Sequence, residues 1–363
     1  MKWEYFPEIN KDELFSSWLI RSANYFGCDP IDLTNSIWPG YRAWTVDIDR
    51  DLTKEKLDSL AKITNKGQQY FKSSLLKSHI QKIKKDLISN SSWPWVIPHG
   101  IRNRKHRIGL QFCPLCFSSK STKYFKLNSR FAWHTCCEEH KIQLVEKCFN
   151  CKSVIQPHRV EAMNGDISTC FNCLADISNT QIIGVNSQAL KFQNECDKVL
   201  LKGRSELLNT NTSEWFLMAR LFSLLIIKYH SISKSKMWEL LSSLGLSQLG
   251  SEKLATGLTI EMLSIEDRVL LFSELWKILS RGVDEITNQI RSFDIPISSF
   301  VDYVDPFPNF LLRYYNLKKL PKKRKTSSTI SVKTKKSHQP RSKRSVLRMY
   351  ARLKRKLDDM NAK

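Results

Sequence analysis

Eight residues between positions 113 and 173 have the types and spacing of metal ligands. Cys113-Pro-Leu-Cys116 is followed after twenty residues by Cys137-Glu-Glu-His140, and Cys148-Phe-Asn-Cys151 is followed after eighteen by Cys170-Phe-Asn-Cys173. A gap of two residues lets one tight turn present two side chains to a single ion, and the long gap lets a second turn complete a tetrahedron. Thiolate and imidazole donors suit Zn²⁺, and four protein ligands leave no open position for a reactive water, so two structural zinc ions per chain are expected. Two groupings use the same eight residues. In the consecutive one, Cys113, Cys116, Cys137 and His140 share one ion and Cys148, Cys151, Cys170 and Cys173 the other. In the cross-braced one, Cys113 and Cys116 join Cys148 and Cys151. The consecutive grouping is the simpler. Cys136 competes with Cys137 for the third position, but only Cys137 keeps the two-residue gap to His140. Cys28 and Cys196 stand alone and read as inert core thiols, and His79, His99 and His134 read as polar surface or satisfied core groups.

Other local chemistries are missing. There is no Gly-Lys-Ser/Thr phosphate loop, no His-Glu-x-x-His and no Gly-x-Ser-x-Gly, so nucleotide hydrolysis, metalloprotease and serine-hydrolase activity have no support. A nuclease built on three dispersed carboxylates leaves no local signature, but it needs a strand-rich core, and the clear patterns outside the cysteine region are helical. A protein that binds rather than catalyses is expected, with no catalytic residues.

The elements that must position these ligands are mainly helices, with small zinc-ribbon strands. Residues 11–26 place Leu14, Trp18 or Leu19, Ser22 and Phe26 on one stripe, and Gly27 stops it. A short helix at 30–38 and an extended aromatic stretch at 41–49 follow. Leu57, Leu60 and Ala61, a break at 64–67, and a long second helix from Gln68 form either a helix-turn-helix or an ordinary helical hairpin. Residues 89–111 read as a linker with a basic run, Arg102, Arg104, Lys105, His106 and Arg107. Helices are expected again at 189–201, 213–229, 234–244 (N-capped by Ser233) and 260–280. The resulting partition is an N-terminal helix-turn-helix-like domain (1–110), a tandem zinc-finger region (111–180), a C-terminal helical domain (181–316) and a basic tail (317–363).

Charge is concentrated in that tail. The chain carries a formal +23, yet residues 318–356 hold 17 of the 58 Lys and Arg and no acid, leaving 41 bases against 35 acids elsewhere. Lys322, Lys323, Arg324, Lys325, Lys335, Lys336, Arg341, Lys343, Arg344, Arg348, Arg352, Lys354 and Arg355 are the candidate nucleic-acid contacts. The tail is too polar to fold alone, and helix formers from Arg344 to Met360 allow a helix once a partner neutralises the charge. No run is long and apolar enough for a bilayer span, and the first residues lack a signal-peptide core. A cytoplasmic protein without membrane contact, with reduced thiols free to bind metal, is the expectation.

The segments DELFSSWLIRSANYFG, WPGYRAWTVDIDR, FCPLC and RFAWHTCCEEHKIQLVEKC, with the closing FNC pairs, together resemble the TniQ family, which includes the TnsD-like target selectors of transposons. The resemblance spans about residues 5–180. It implies a bacterial, nucleoid-associated, non-catalytic adaptor in DNA transposition, which recognises a DNA site or a DNA-bound CRISPR guide-RNA complex. The adaptor hands that target to an AAA+ ATPase, which recruits the transposase. The family's zinc ligands fall on Cys113, Cys116, Cys137, His140, Cys148, Cys151, Cys170 and Cys173. The basic tail departs from the shorter, guide-complex-binding members and favours direct contact with DNA. A contribution of the helix around Trp18 and Arg21 to the ATPase contact is a further expectation. The alternative from a different class is a zinc-containing helix-turn-helix transcriptional regulator; the sequence leaves monomer and homodimer both open.

Overall fold

In the computed structural model, the helices lie where apolar stripes meet helix-ending residues. It describes residues 3–88, 92–99, 108–119, 121–232, 234–246, 258–301, 303, 306–317 and 350. The chain divides into two units, Met1–Lys319 and Leu320–Lys363, and the account below concerns the first. The basic run at 102–107, Ser233 and the candidate nucleic-acid residues of the tail, with its expected helix, lie outside the described residues, as Tyr350 alone is described there.

The N-terminal helices are α1 (Phe15–Tyr25), α2 (Pro30–Ile37), α3 (Lys54–Thr64), α4 (Gln68–Lys72) and α5 (Lys77–Ile80). Phe15, Trp18, Leu19 and Ala23 of α1 are buried with Leu33, Trp38, Leu57, Leu60 and Phe71 in one core. Gly27, at φ +64°, takes the left-handed conformation after α1 that a side chain would disfavour. The break at 64–67 is present, with Asn65 left-handed after α3. The long second helix is not. Leu76 and Lys77 donate their backbone N–H groups to the carbonyls of Asp49 and Arg50 (2.8 and 3.1 Å), so where α5 begins these two residues bond to a neighbouring segment instead of to their own preceding turn. The stretch 41–49 is likewise not extended: it holds a 3₁₀ turn at Ala43–Thr45 and further turns. Those turns swing Asp47 and Asp49 inward onto Arg130, whose guanidinium donates to both carboxylates at 2.6 Å and to the Ile97 carbonyl at 2.8 Å. This buried junction fastens the N-terminal helices to the cysteine region.

That region contains α6 (Pro114–Ser119) and a two-stranded antiparallel hairpin, β1 (Cys136–Cys137) with β2 (Ile142–Gln143). Beyond it come α7 (Ser187–Lys202), the small hairpin β3 (Arg204–Ser205) and β4 (Thr210–Asn211), and then α8 (Thr212–Ile227), α9 (Lys236–Ser243), α10 (Ile265–Leu279), α11 (Gly282–Ser292) and α12 (Asn309–Tyr314). The Asn186 side chain caps α7, accepting from the N–H groups of Gln188 and Ala189 at 3.0 Å, and Gly203 ends it. α10 packs on α7 and α8, with Phe192, Trp215 and Phe272 between them. The most apolar stretch of the chain, α8, is buried on nearly every side, and no described helix is long and apolar enough to cross a membrane.

Two helical expectations shift. Ser235, accepting from the Trp238 N–H, caps α9. The helix expected over 260–280 splits into a 3₁₀ turn at Ile260–Met262 and α10, restarted by Ser264, which accepts from the Asp267 N–H at 3.1 Å. The break lets Glu261 reach Arg220 of α8 (2.5 Å) and the Trp95 N–H (2.8 Å).

Candidate metal centre

Each half of the first cluster comes from one local element. α6 begins directly after Cys113, so Cys116 lies one turn on, and its backbone N–H points at the Cys113 sulfur (3.4 Å). Cys137 ends β1, and a tight turn with Lys141 at φ +52° brings His140 back beside it. The result places Cys113, Cys116, Cys137 and His140 together; Cys148, Cys151, Cys170 and Cys173 form a second group. The structure therefore has the consecutive grouping, and Cys136 is outside both, its sulfur 3.4 Å from the Thr135 hydroxyl.

The distances test whether these groups fit zinc. A tetrahedron with Zn–S of about 2.3 Å and Zn–N of about 2.0–2.1 Å has S–S edges of about 3.8 Å and S–N edges of about 3.6 Å. In the first cluster the Cys116 and Cys137 sulfurs are 3.8 Å apart. His140 Nδ1 stands 3.5, 3.4 and 3.6 Å from the sulfurs of Cys113, Cys116 and Cys137. In the second, Cys148 to Cys173 and Cys151 to Cys170 are both 3.6 Å. These distances match edges of a zinc tetrahedron, and in each group all four donor atoms lie within 4.8 Å of one another, so both clusters can hold zinc.

Electrostatics agree. The sulfurs of Cys113 and Cys137 push the Cys116 thiol up, while those of Cys113 and Cys116 hold Cys137 down. Burial pushes Cys170 up to about 12, and the Ser153 hydroxyl leads in holding Cys151 down to about 5. Four sulfurs or nitrogens this close lose their protons together only if a cation offsets the repulsion.

The second cluster is a duplicated turn. In each Cys-Phe-Asn-Cys loop the first cysteine's N–H donates to a carbonyl five residues on, Cys148 to Ser153 (2.8 Å) and Cys170 to Ala175 (2.9 Å). Lys152 and Leu174, the residues after each second cysteine, sit at φ 57° and 59°.

Sequence reading missed the residue that holds β1 in place. Gln193 of α7 accepts from the N–H groups of Thr135 and Cys136 (3.0 and 3.1 Å) and donates to the Cys136 carbonyl (3.0 Å) and the Glu138 carboxylate (3.2 Å). The only available signal was an amide on the otherwise apolar face of α7 that carries Ala189, Phe192 and Cys196. The lone residues read as core groups are placed as follows. Cys196 is buried and Cys28 half-buried. His134 is buried and bonds Asp197 at 2.9 Å, which also accepts from Trp133 Nε1 at 3.0 Å. His134, Glu138 and Asp197 form a third group close enough for a cation, but their polar atoms already serve these hydrogen bonds. Trp18 is wholly buried, and Arg21 pairs with Glu13 at 2.5 Å, so both brace the fold.

Residues 4–144 match the family model TniQ. This part of the chain is similar to the TniQ family. It includes all four ligands of the first cluster and stops short of Cys148, so the likeness read as far as residue 180 is shown to 144. No curated protein matches the chain.

Proposed function

We propose that this TniQ-like chain is a non-catalytic target-selection adaptor in DNA transposition. It links a target DNA site, or a DNA-bound CRISPR guide-RNA complex, to an AAA+ ATPase and through it to the transposase. The observation that carries this reading is the TniQ match over residues 4–144, with a metal cluster inside it whose ligand set is complete and leaves no reactive position. Two zinc ions per chain stabilise residues 111–180 between the helical parts at 1–110 and 181–316. The lysines and arginines of the tail, Lys322 to Arg355, contact DNA phosphates, and the protein acts at the bacterial nucleoid.

The regulator reading has less support. It relies on a recognition helix after α3, and α4 has five residues. The experiment that tests the adaptor reading is affinity capture of the full-length protein from its native cells, scored for an AAA+ ATPase, a CRISPR complex or neither. ATPase capture with no ATP hydrolysis by the isolated chain is the expected result; capture of RNA polymerase alone would overturn it.

A further inference from the structure

The buried carboxylates Glu13, Asp49, Glu146 and Glu261 each face an arginine, namely Arg21, Arg130, Arg268 and Arg220. Glu138, beside the first metal cluster, and Asp197 of α7 differ: among the described residues no lysine or arginine pairs with either, and Lys126 lies instead 3.8 Å from the next acid, Glu139. Their neighbour is the buried His134, and each of the three offers a donor atom within 4.8 Å of the other two. Two carboxylates this close repel unless a positive charge lies between them. The geometry suits a ligand set, since metal–ligand bonds of about 2.1 Å at right angles put neighbouring donors about 3.0 Å apart. His134 Nε2 stands 2.9 Å from Asp197 Oδ1. Behind these donors, Trp133 Nε1 donates to Asp197 Oδ1 at 3.0 Å and the Gln193 amide to Glu138 Oε1 at 3.2 Å, the kind of bond that orients the ligands of a metal from outside. His134 and Glu138 also line a cavity of about 350 Å³ beside the first cluster, which gives an ion a way in and room for water ligands.

We propose that His134, Glu138 and Asp197 form a third cation site, which takes an exchangeable divalent transition ion of the Mn²⁺ type. The imidazole donor disfavours Mg²⁺ and Ca²⁺, while two carboxylates and a near-right-angle edge favour an octahedral ion. The ion takes the place of the proton between His134 and Asp197 and ties the start of the β1–β2 hairpin to α7. Three protein ligands leave coordination positions to water, so this ion exchanges while the two four-ligand sites keep theirs. The site is independent of the target-selection reading.

The test titrates Mn²⁺ into zinc-loaded full-length protein and follows unbound Mn²⁺ by electron paramagnetic resonance. One further ion per chain is expected, displaced by Zn²⁺ but not by an equal concentration of Mg²⁺. Asp197→Asn keeps the oxygen that accepts from Trp133, and Glu138→Gln alters an exposed side chain, so both should fold; each should weaken Mn²⁺ binding by about tenfold or more. Glu139→Gln, at the neighbouring exposed acid outside the group, should leave it within about twofold. Elemental analysis showing two zinc ions in every variant separates loss of this site from loss of the fold. Wild-type protein that takes up no Mn²⁺ would overturn the proposal, and so would Asp197→Asn and Glu138→Gln proteins that bind it as wild type does. Displacement by Mg²⁺ as effective as by Zn²⁺ would also overturn it, because that is the behaviour of scattered surface carboxylates.

Discussion

Arg268 and Glu146, 122 residues apart in sequence, meet at 3.5 Å with both side chains almost fully excluded from solvent. The same guanidinium donates to the Ala132 carbonyl at 2.9 Å, and Gln111, with its amide oxygen turned inward, accepts from it at 2.7 Å. One residue of α10 thereby ties the C-terminal helices to three separate segments around the first metal cluster. Burial pushes the Glu146 carboxyl up, and Arg268 draws it back down. Arg268→Met should destabilise the protein by about 3–5 kcal/mol, since it leaves a buried carboxylate without its partner. Denaturant unfolding checks this, and a loss no larger than that of an exposed pair would show that the junction relaxes.

Elemental analysis should find about two zinc ions per chain. Cys113→Ser or Cys170→Ser should unfold the central region, because structural zinc contributes folding free energy directly. Cys136→Ser should keep both ions, as its sulfur belongs to neither cluster. A folded Cys113→Ser, Cys170→Ser double variant containing no metal would contradict the structural role.

Gln193→Leu removes the partners of two buried N–H groups, those of Thr135 and Cys136, at a cost of about 1–3 kcal/mol for each group left unsatisfied. Since these residues form or adjoin β1, which carries Cys137, the first cluster should release zinc to a chelator faster while the second keeps its rate. Equal acceleration at both would point to global loosening.

Acid should destabilise the fold partly through His158. Its ring stacks on Trp44 at 4.9 Å, and burial holds its pKa down to about 4. The unfolded chain, with a histidine near 6.5, binds the proton first, so this contribution is fully present above about 6.5 and is lost as pH falls toward 4. His158→Gln should flatten the decline in stability across that window. Zinc-ligand protonation is common to both proteins, so the difference between their unfolding curves isolates His158. Parallel curves would refute the assignment.

Deleting residues 318–363 removes 18 lysines and arginines and two acids. Affinity for all duplexes should fall by a similar factor, with a shallower salt dependence because fewer counterions are released. Any target preference should survive. Binding isotherms at several salt concentrations decide it, and unchanged slopes would show that the tail does not engage DNA.

The two groups of cysteines and histidine that could hold zinc were legible in the sequence because a two-residue gap between cysteines is a local constraint: a single turn satisfies it wherever the chain goes next. The same holds for α1, α2, α7 and α8, whose apolar periodicity and end residues act within a few positions. Long-range partners decided the rest. The choice of Cys137 over Cys136 depends on which sulfur the β1–β2 hairpin turns toward α6. The consecutive grouping depends on the same packing. The helix expected after Gln68 was broken by backbone bonds to Asp49 and Arg50, and the extended stretch at 41–49 curled so that Asp47 and Asp49 could meet Arg130. Gln193, Arg130 and Arg268 look like ordinary polar residues in the chain. Only folding places them against backbone groups and charges that have no water, and a buried polar group must then find its partner in whatever segment the tertiary structure brings near.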